Sequence, residues 1–139
     1  MASRSQLYPL ARQLFATGAL NWPASNIKIA LLPVTFTPNF AAQYLSDLQA
    51  ETTIMATSGN ITGLTAVGGY CNGNSTSLGI VSSPLVAGAL VFYKDTGTPS
   101  TSPLIVYFDT PDLPGLPQVL TLDEYFVYQN FSYGGWFRL

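Results

Sequence analysis

Two runs of the chain, Ala89-Leu90-Val91-Phe92-Tyr93-Lys94 and Leu104-Ile105-Val106-Tyr107-Phe108-Asp109, are apolar at consecutive positions and not at alternating ones. Successive side chains of a strand point to opposite faces, so each run needs cover on both sides. The segment between them, Asp95-Thr96-Gly97-Thr98-Pro99-Ser100-Thr101-Ser102, has the Gly, Pro and hydroxyl content of a connecting loop. The two runs are therefore predicted to pair as a hairpin. One face should lie on the core and the other on a neighbouring element or subunit.

The remaining elements follow from local pattern. Leu7, Leu10, Leu14 and Phe15 recur at helical spacing, with Ser5 as a possible cap, Pro9 in the opening turn and Gly18 as the stop, which predicts a short helix at about Tyr8 to Thr17. Ile27-Lys28-Ile29-Ala30-Leu31-Leu32 reads as a buried strand that ends in a loop at Pro33. Asn39 is predicted to cap a second, amphipathic helix carrying Phe40, Tyr44, Leu45 and Leu48. Further short strands are expected near Thr53–Ala56, Thr65–Cys71, Ser77–Val81, Ala87–Lys94, Pro103–Asp109, Glu124–Tyr128 and Trp136–Leu139. Many short strands with turn signals between them predict a mainly β fold, an antiparallel β-sandwich or open barrel with one or two short helices near the N-terminus.

A chain of 139 residues reads as one domain spanning 1–139. Charged residues make up only 9% against 47% hydrophobic, far below the usual charged share of about 25%. The surface must then be built from Ser, Thr, Asn, Gln and backbone, and such a surface associates easily. No apolar run approaches the roughly 18 residues of a membrane-spanning helix. Arg4 is followed by no apolar h-region, so no secretion signal is read and synthesis is expected in the cytoplasm. Cys71 is alone, which excludes an intrachain disulfide. Five basic and seven acidic side chains, thinly spread, form no stripe able to neutralise phosphates, so direct nucleic-acid binding is not expected.

The search for chemistry finds little. With no His, neither a Ser-His-Asp nor a Cys-His catalytic set can form within the chain. Asp95-Thr96-Gly97 spells the tripeptide of dimeric aspartic proteases, but Asp and Gly are also what a turn leaving a strand prefers, and the turn reading is favoured. Asp109 with Asp112, and Asp123 with Glu124, lack the spacing of a calcium loop. No Lys-Ser/Thr follows Gly68-Gly69, Gly134-Gly135 or Gly59-x-x-x-Gly63, so they read as turns or bulges and not as a phosphate loop. Asn60, Asn74 and Asn130 open N-glycosylation patterns that are expected by chance in so Asn- and Ser/Thr-rich a chain. The aromatic tail Tyr125, Phe126, Tyr128, Phe131, Tyr133, Trp136 and Phe137 could stack sugars or bases, although without basic residues beside it packing is favoured. No catalytic residue, cofactor or metal is assigned, and no enzyme activity is expected.

The order of weak motifs carries more than any one of them. Gly18-Ala19-Leu20-Asn21-Trp22 leads into Ile27-Lys28-Ile29-Ala30-Leu31, followed by Thr37-Pro38-Asn39 and Leu45-Ser46-Asp47. Then come Thr57-Ser58-Gly59-x-x-Thr62-Gly63, Val91-Phe92-Tyr93-Lys94-Asp95-Thr96-Gly97, Ser102-Pro103-Leu104-Ile105-Val106-Tyr107-Phe108-Asp109-Thr110, Leu116-Pro117 and the terminal Phe137-Arg138-Leu139. In this order the chain resembles a family of small bacteriophage virion structural proteins. That resemblance implies a role as a head decoration (cement) protein or a minor tail component.

The expectation is accordingly a virion protein that stabilises contacts between major capsid subunits. A minor tail or head-tail connector component is the first alternative, and a carbohydrate-binding module on the virion exterior is the alternative of another class. The implied partners are the major capsid protein or neighbouring virion subunits, and the chain is expected to be a homo-oligomer that binds neither nucleic acid nor membrane. Its interface is predicted at Leu7, Tyr8, Leu10, Leu14, Trp22, Trp136, Phe137 and Leu139, with segments 1–8 and 130–139 acting as arms.

Overall fold

The computed structural model describes residues 5–81, 85–109, 118–119, 123–127 and 136–138. The chain opens with strand β1 (Gln6–Leu7) and helix α1 (Pro9–Ala16), followed by a 3-10 turn, η1 (Trp22–Ala24), and β2 (Ile27–Pro33). Helix α2 (Leu45–Glu51) precedes β3 (Ala56–Thr57), β4 (Thr65–Val67), β5 (Tyr70–Asn72), β6 (Thr76–Val81) and β7 (Val86–Lys94). A second 3-10 turn, η2 (Pro99–Thr101), leads to β8 (Leu104–Phe108), β9 (Gln118–Val119), β10 (Asp123–Val127) and β11 (Phe137–Arg138).

The fold is mainly β, antiparallel and open, and no barrel closes among the described residues. The central sheet runs β1-β8-β7-β2-β3, with β9 added on β7. Two smaller sheets, β10-β6 and β11-β5-β4, complete it. The predicted hairpin is its centre: Leu90 pairs with Phe108, Val91 with Tyr107 and Phe92 with Val106. β2 lies on the other side of β7, with Ile29 opposite Phe92 and Leu31 opposite Leu90.

Paired residues share a face, so this register sorts the doubly apolar strands. Ile29, Phe92, Val106, Leu31, Leu90 and Phe108 point one way, and Ala30, Val91, Tyr107, Leu32 and Ala89 the other. On the first face the Phe92 ring meets Phe108 at 5.4 Å and Trp136 at 5.2 Å. On the second, Phe36 and Phe40 stand 5.9 and 6.1 Å from the Tyr107 ring, and Tyr8 packs on Phe40 at 5.3 Å. Every residue of β8 is buried, as is Ala87 to Tyr93 of β7. Both sides are covered by the chain itself: Phe36 and Phe40 of the loop over 33–44, with Tyr8, cover one face, and Trp136, backed by Trp22 of η1, covers the other.

Two elements differ from their sequence-based form. The second helix begins at Leu45, not Asn39. The Asn39 Oδ1 accepts from the Ala41 N–H at 3.0 Å, closing a local turn, and the Gln43 carbonyl accepts from Leu104 N–H at 2.9 Å while Tyr44 bridges Pro103. Backbone already committed to the start of β8 cannot also be helical. Asp47 then supplies the helix start by accepting from Gln43 and Tyr44 N–H at 2.9 and 3.0 Å. The run Thr65–Cys71 is two strands and not one, because Gly68 and Gly69, at φ +62° and +84°, make the two-residue turn of a β4-β5 hairpin.

Candidate functional site

The predicted interface residues are mostly core residues. Tyr8, Trp22, Trp136 and Phe137 are 1%, 2%, 0% and 9% exposed. The Trp22 ring stands edge-on to Trp136 at 6.3 Å and to Phe137 at 5.1 Å, and its Nε1–H donates to the Asn72 carbonyl at 3.0 Å. Leu7, Leu10 and Leu14 are half-buried, and Leu139 lies outside the described residues. Of the predicted arms 1–8 and 130–139, residues 1–4, 130–135 and 139 lie outside the described residues. Gln6 and Leu7 pair with Tyr107 and Val106, and Phe137 and Arg138 pair with Cys71 and Tyr70, so these four residues belong to the sheets, while Tyr8 and Trp136 N–H donate to the Ile105 and Cys71 carbonyls. Among the described residues, Tyr8, Trp136 and Phe137 go into the chain's own core.

The candidate chemical groups resolve into structural ones. Asp95 ion-pairs with Lys28 at 2.8 Å and accepts from Gly97 N–H at 2.9 Å, which is the turn reading of Asp-Thr-Gly. The Lys28 hydrogen bond, then the Gly97 amide, hold its carboxyl below the ordinary value. Asp109 is buried and accepts from the Tyr107 hydroxyl at 3.0 Å, while its N–H donates to Ser5 Oγ at 2.7 Å. Asp112 and the side chains of Asp123 and Glu124 lie outside the described residues, as do Gly134-Gly135 and Asn130. Among the described residues no group of three or more His, Cys, Asp or Glu is placed to hold a metal ion. Cys71 is buried, and burial pushes its thiol up to about 11.

Two shallow depressions meet at Asn39 and Glu51, one reaching Gln43 and Asp47 and the other Thr35 and Thr52. Glu51 there accepts from Asn39 Nδ2 at 3.1 Å. Neither depression gathers a nucleophile, a base and an anion-binding group. The sugar-stacking reading loses Trp136 and Phe137, which are buried against Phe92, Trp22 and Phe15 and offer no free ring face. Among the described residues no helix is long and apolar enough to cross a membrane.

What the chain does offer is a long stretch without charge, although Asp123 and Glu124 pair beside β6 and Arg138 beside β5. Between Glu51 and Lys94 no side chain is Asp, Glu, Lys or Arg. This stretch carries β3 to β7, and all three residues of β4 are exposed. Val67 is 74% exposed, and Val34, Leu85 and Val86 form a second exposed apolar group where Val34 N–H donates to the Val86 carbonyl at 2.7 Å. Attention to motifs missed this region. A map of charge along the sequence would have found it.

Compared with known proteins, the chain matches no family model and no curated sequence.

Proposed function

We propose that the chain is a structural subunit of a bacteriophage particle, a decoration protein that binds across neighbouring major capsid subunits and acts through packing alone. The observation that carries this reading is the exposed loop surface between Thr53 and Gly79, whose residues carry no charge. Desolvating it on contact removes no ion from water, so the main electrostatic cost of forming a protein interface is absent there. A shell contact of ordinary size, about 1,200–2,000 Å² in total, needs such a surface held in fixed shape. The doubly covered central sheet supplies the rigid base, and the likeness of the ordered motifs to small virion proteins points to the same role.

The experiment is a titration of the purified chain onto capsid shells that lack it. Saturable binding at a fixed ratio to the coat subunits, with higher thermal resistance of the shell, is expected. Binding to tails or connectors in place of shells would overturn decoration, and binding to neither would overturn the particle role.

A further inference from the structure

The hairpin β4-β5 ends the sheet β11-β5-β4, and among the described residues no strand pairs with the outer side of β4. Its register fixes what that edge presents. Val67 and Tyr70 flank a two-residue turn, and the ladder continues through Ala66 opposite Cys71 and Thr65 opposite Asn72. Residues flanking such a turn form a hydrogen-bonded pair and the next pair does not. The Ala66 N–H and C=O therefore point away from β5, to the outside of the sheet. η1 is another neighbour of β4, yet it leaves Thr65, Ala66 and Val67 exposed.

Exposed edges are ordinarily guarded by shortness, Lys, Pro, a bulge or an inward-pointing charge. This one is short, at three residues, but has none of the others within it: its sequence is Thr65-Ala66-Val67, and no charged side chain occurs between Glu51 and Lys94. Lack of charge also selects the occupant. In a two-fold contact each residue near the axis meets its own copy, so any charge there repels itself. A segment free of both signs is self-complementary where a charged one is not.

We infer that β4 pairs antiparallel with β4 of a second copy of this chain about a two-fold axis at Ala66, joining two three-stranded sheets into one of six strands. The Ala66 N–H donates to the carbonyl of the partner's Ala66 and the reverse, and Thr65 faces the partner's Val67. The exposed Val67 side chain then lies against the methyl and hydroxyl of a β-branched neighbour, a favourable cross-strand pair. The inference gives the oligomer expected of a particle subunit a specific edge, and its geometry does not depend on that role.

Sedimentation and cross-linking of the full-length chain test it. The wild type sediments as a dimer, and Ala66→Glu, which sets two carboxylates face to face, weakens dimerisation about tenfold or more. Thr65→Lys combined with Val67→Glu places opposite charges across the axis and retains the dimer. With Cys71 first replaced by Ala, because it faces residue 66 within the same hairpin, Ala66→Cys forms a disulfide-linked dimer under oxidation, since hydrogen-bonded partners have Cα atoms about 5.5 Å apart. Thr65→Cys does not, since strand rise and spacing put its two copies about 8 Å apart. A wild type that stays monomeric overturns the inference, as does a dimer that Ala66→Cys fails to cross-link. The cysteine pair decides the matter even if Ala66→Glu does not fold. A dimer that binds no capsid shell would remove the particle role and leave the β4 contact standing.

Discussion

Replacing Trp136 with Ala tests whether the C-terminal strand is part of the core. The side chain is fully buried, 5.2 Å from the Phe92 ring and 6.3 Å from the Trp22 ring, and its backbone N–H donates to the Cys71 carbonyl at 2.9 Å. The site cannot easily collapse around the loss. A Cβ built on Gly73 would lie 2.9 Å from both the Trp136 ring and the Ile61 side chain, so the indole fills space that Gly73 leaves open. Truncation of a large buried aromatic costs about 3–5 kcal/mol, and each lost edge-on ring contact accounts for about 0.5–1.5 kcal/mol of it. Against a typical total of about 5–15 kcal/mol this leaves a marginal protein. Urea unfolding followed by tryptophan fluorescence and far-UV circular dichroism should show a lower midpoint at nearly unchanged slope. Trp136→Phe should lose about half as much, by roughly scaling the volume removed. A loss under about 1 kcal/mol for Trp136→Ala would place the indole on the surface and refute the two-sided cover.

Gly88→Ala should destabilise by about 1–3 kcal/mol through overpacking, because the new Cβ would lie 2.5 Å from Val34 Cα; a neutral thermal melt would contradict that packing. Lys28→Ala should cost no more than about 1 kcal/mol, as expected of a pair with both side chains partly exposed, in a chemical denaturation series. Asp95 and Asp47 have carboxyls held below the ordinary 3.8, chiefly by Lys28 and by the Gln43 amide respectively, so both add stability above that value. That stability is lost as pH falls through the folded-state values, and Lys28→Ala should flatten the acid limb of a stability-against-pH curve. The Cys71 thiol, raised to about 11 by burial, should resist a thiol reagent at neutral pH until the chain unfolds; rapid labelling of the native protein would place it at the surface.

The strands were legible where side chains alone decide them. The runs Ile27–Leu32, Ala89–Lys94 and Leu104–Asp109 became β2, β7 and β8 within three residues at each end, and the pairing of the last two followed from the polar loop between them. The second helix was misplaced at its start because Asn39 has the chemistry of a cap, and nothing local reveals that Gln43 and Tyr44 are claimed by β8, far along the chain. The same limit applied to the terminal apolar residues. Sequence shows that Tyr8 and Trp136 must be covered but not by what, and the answer, Phe40 for one and Phe92 with Trp22 for the other, depends on topology. The β4 edge was hidden for the opposite reason: Thr65-Ala66-Val67 looks like any strand until the sheet order leaves it last.

Reconstruction of the intact particle at a resolution that traces side chains tests the central claim most directly. The proposed function predicts density for this chain on the outer shell, at a copy number fixed by the capsid lattice, with the uncharged exposed loops between Thr53 and Gly79 turned toward neighbouring protein. A shell without that density, or one in which those loops face solvent while the charged segments make the contacts, would contradict it.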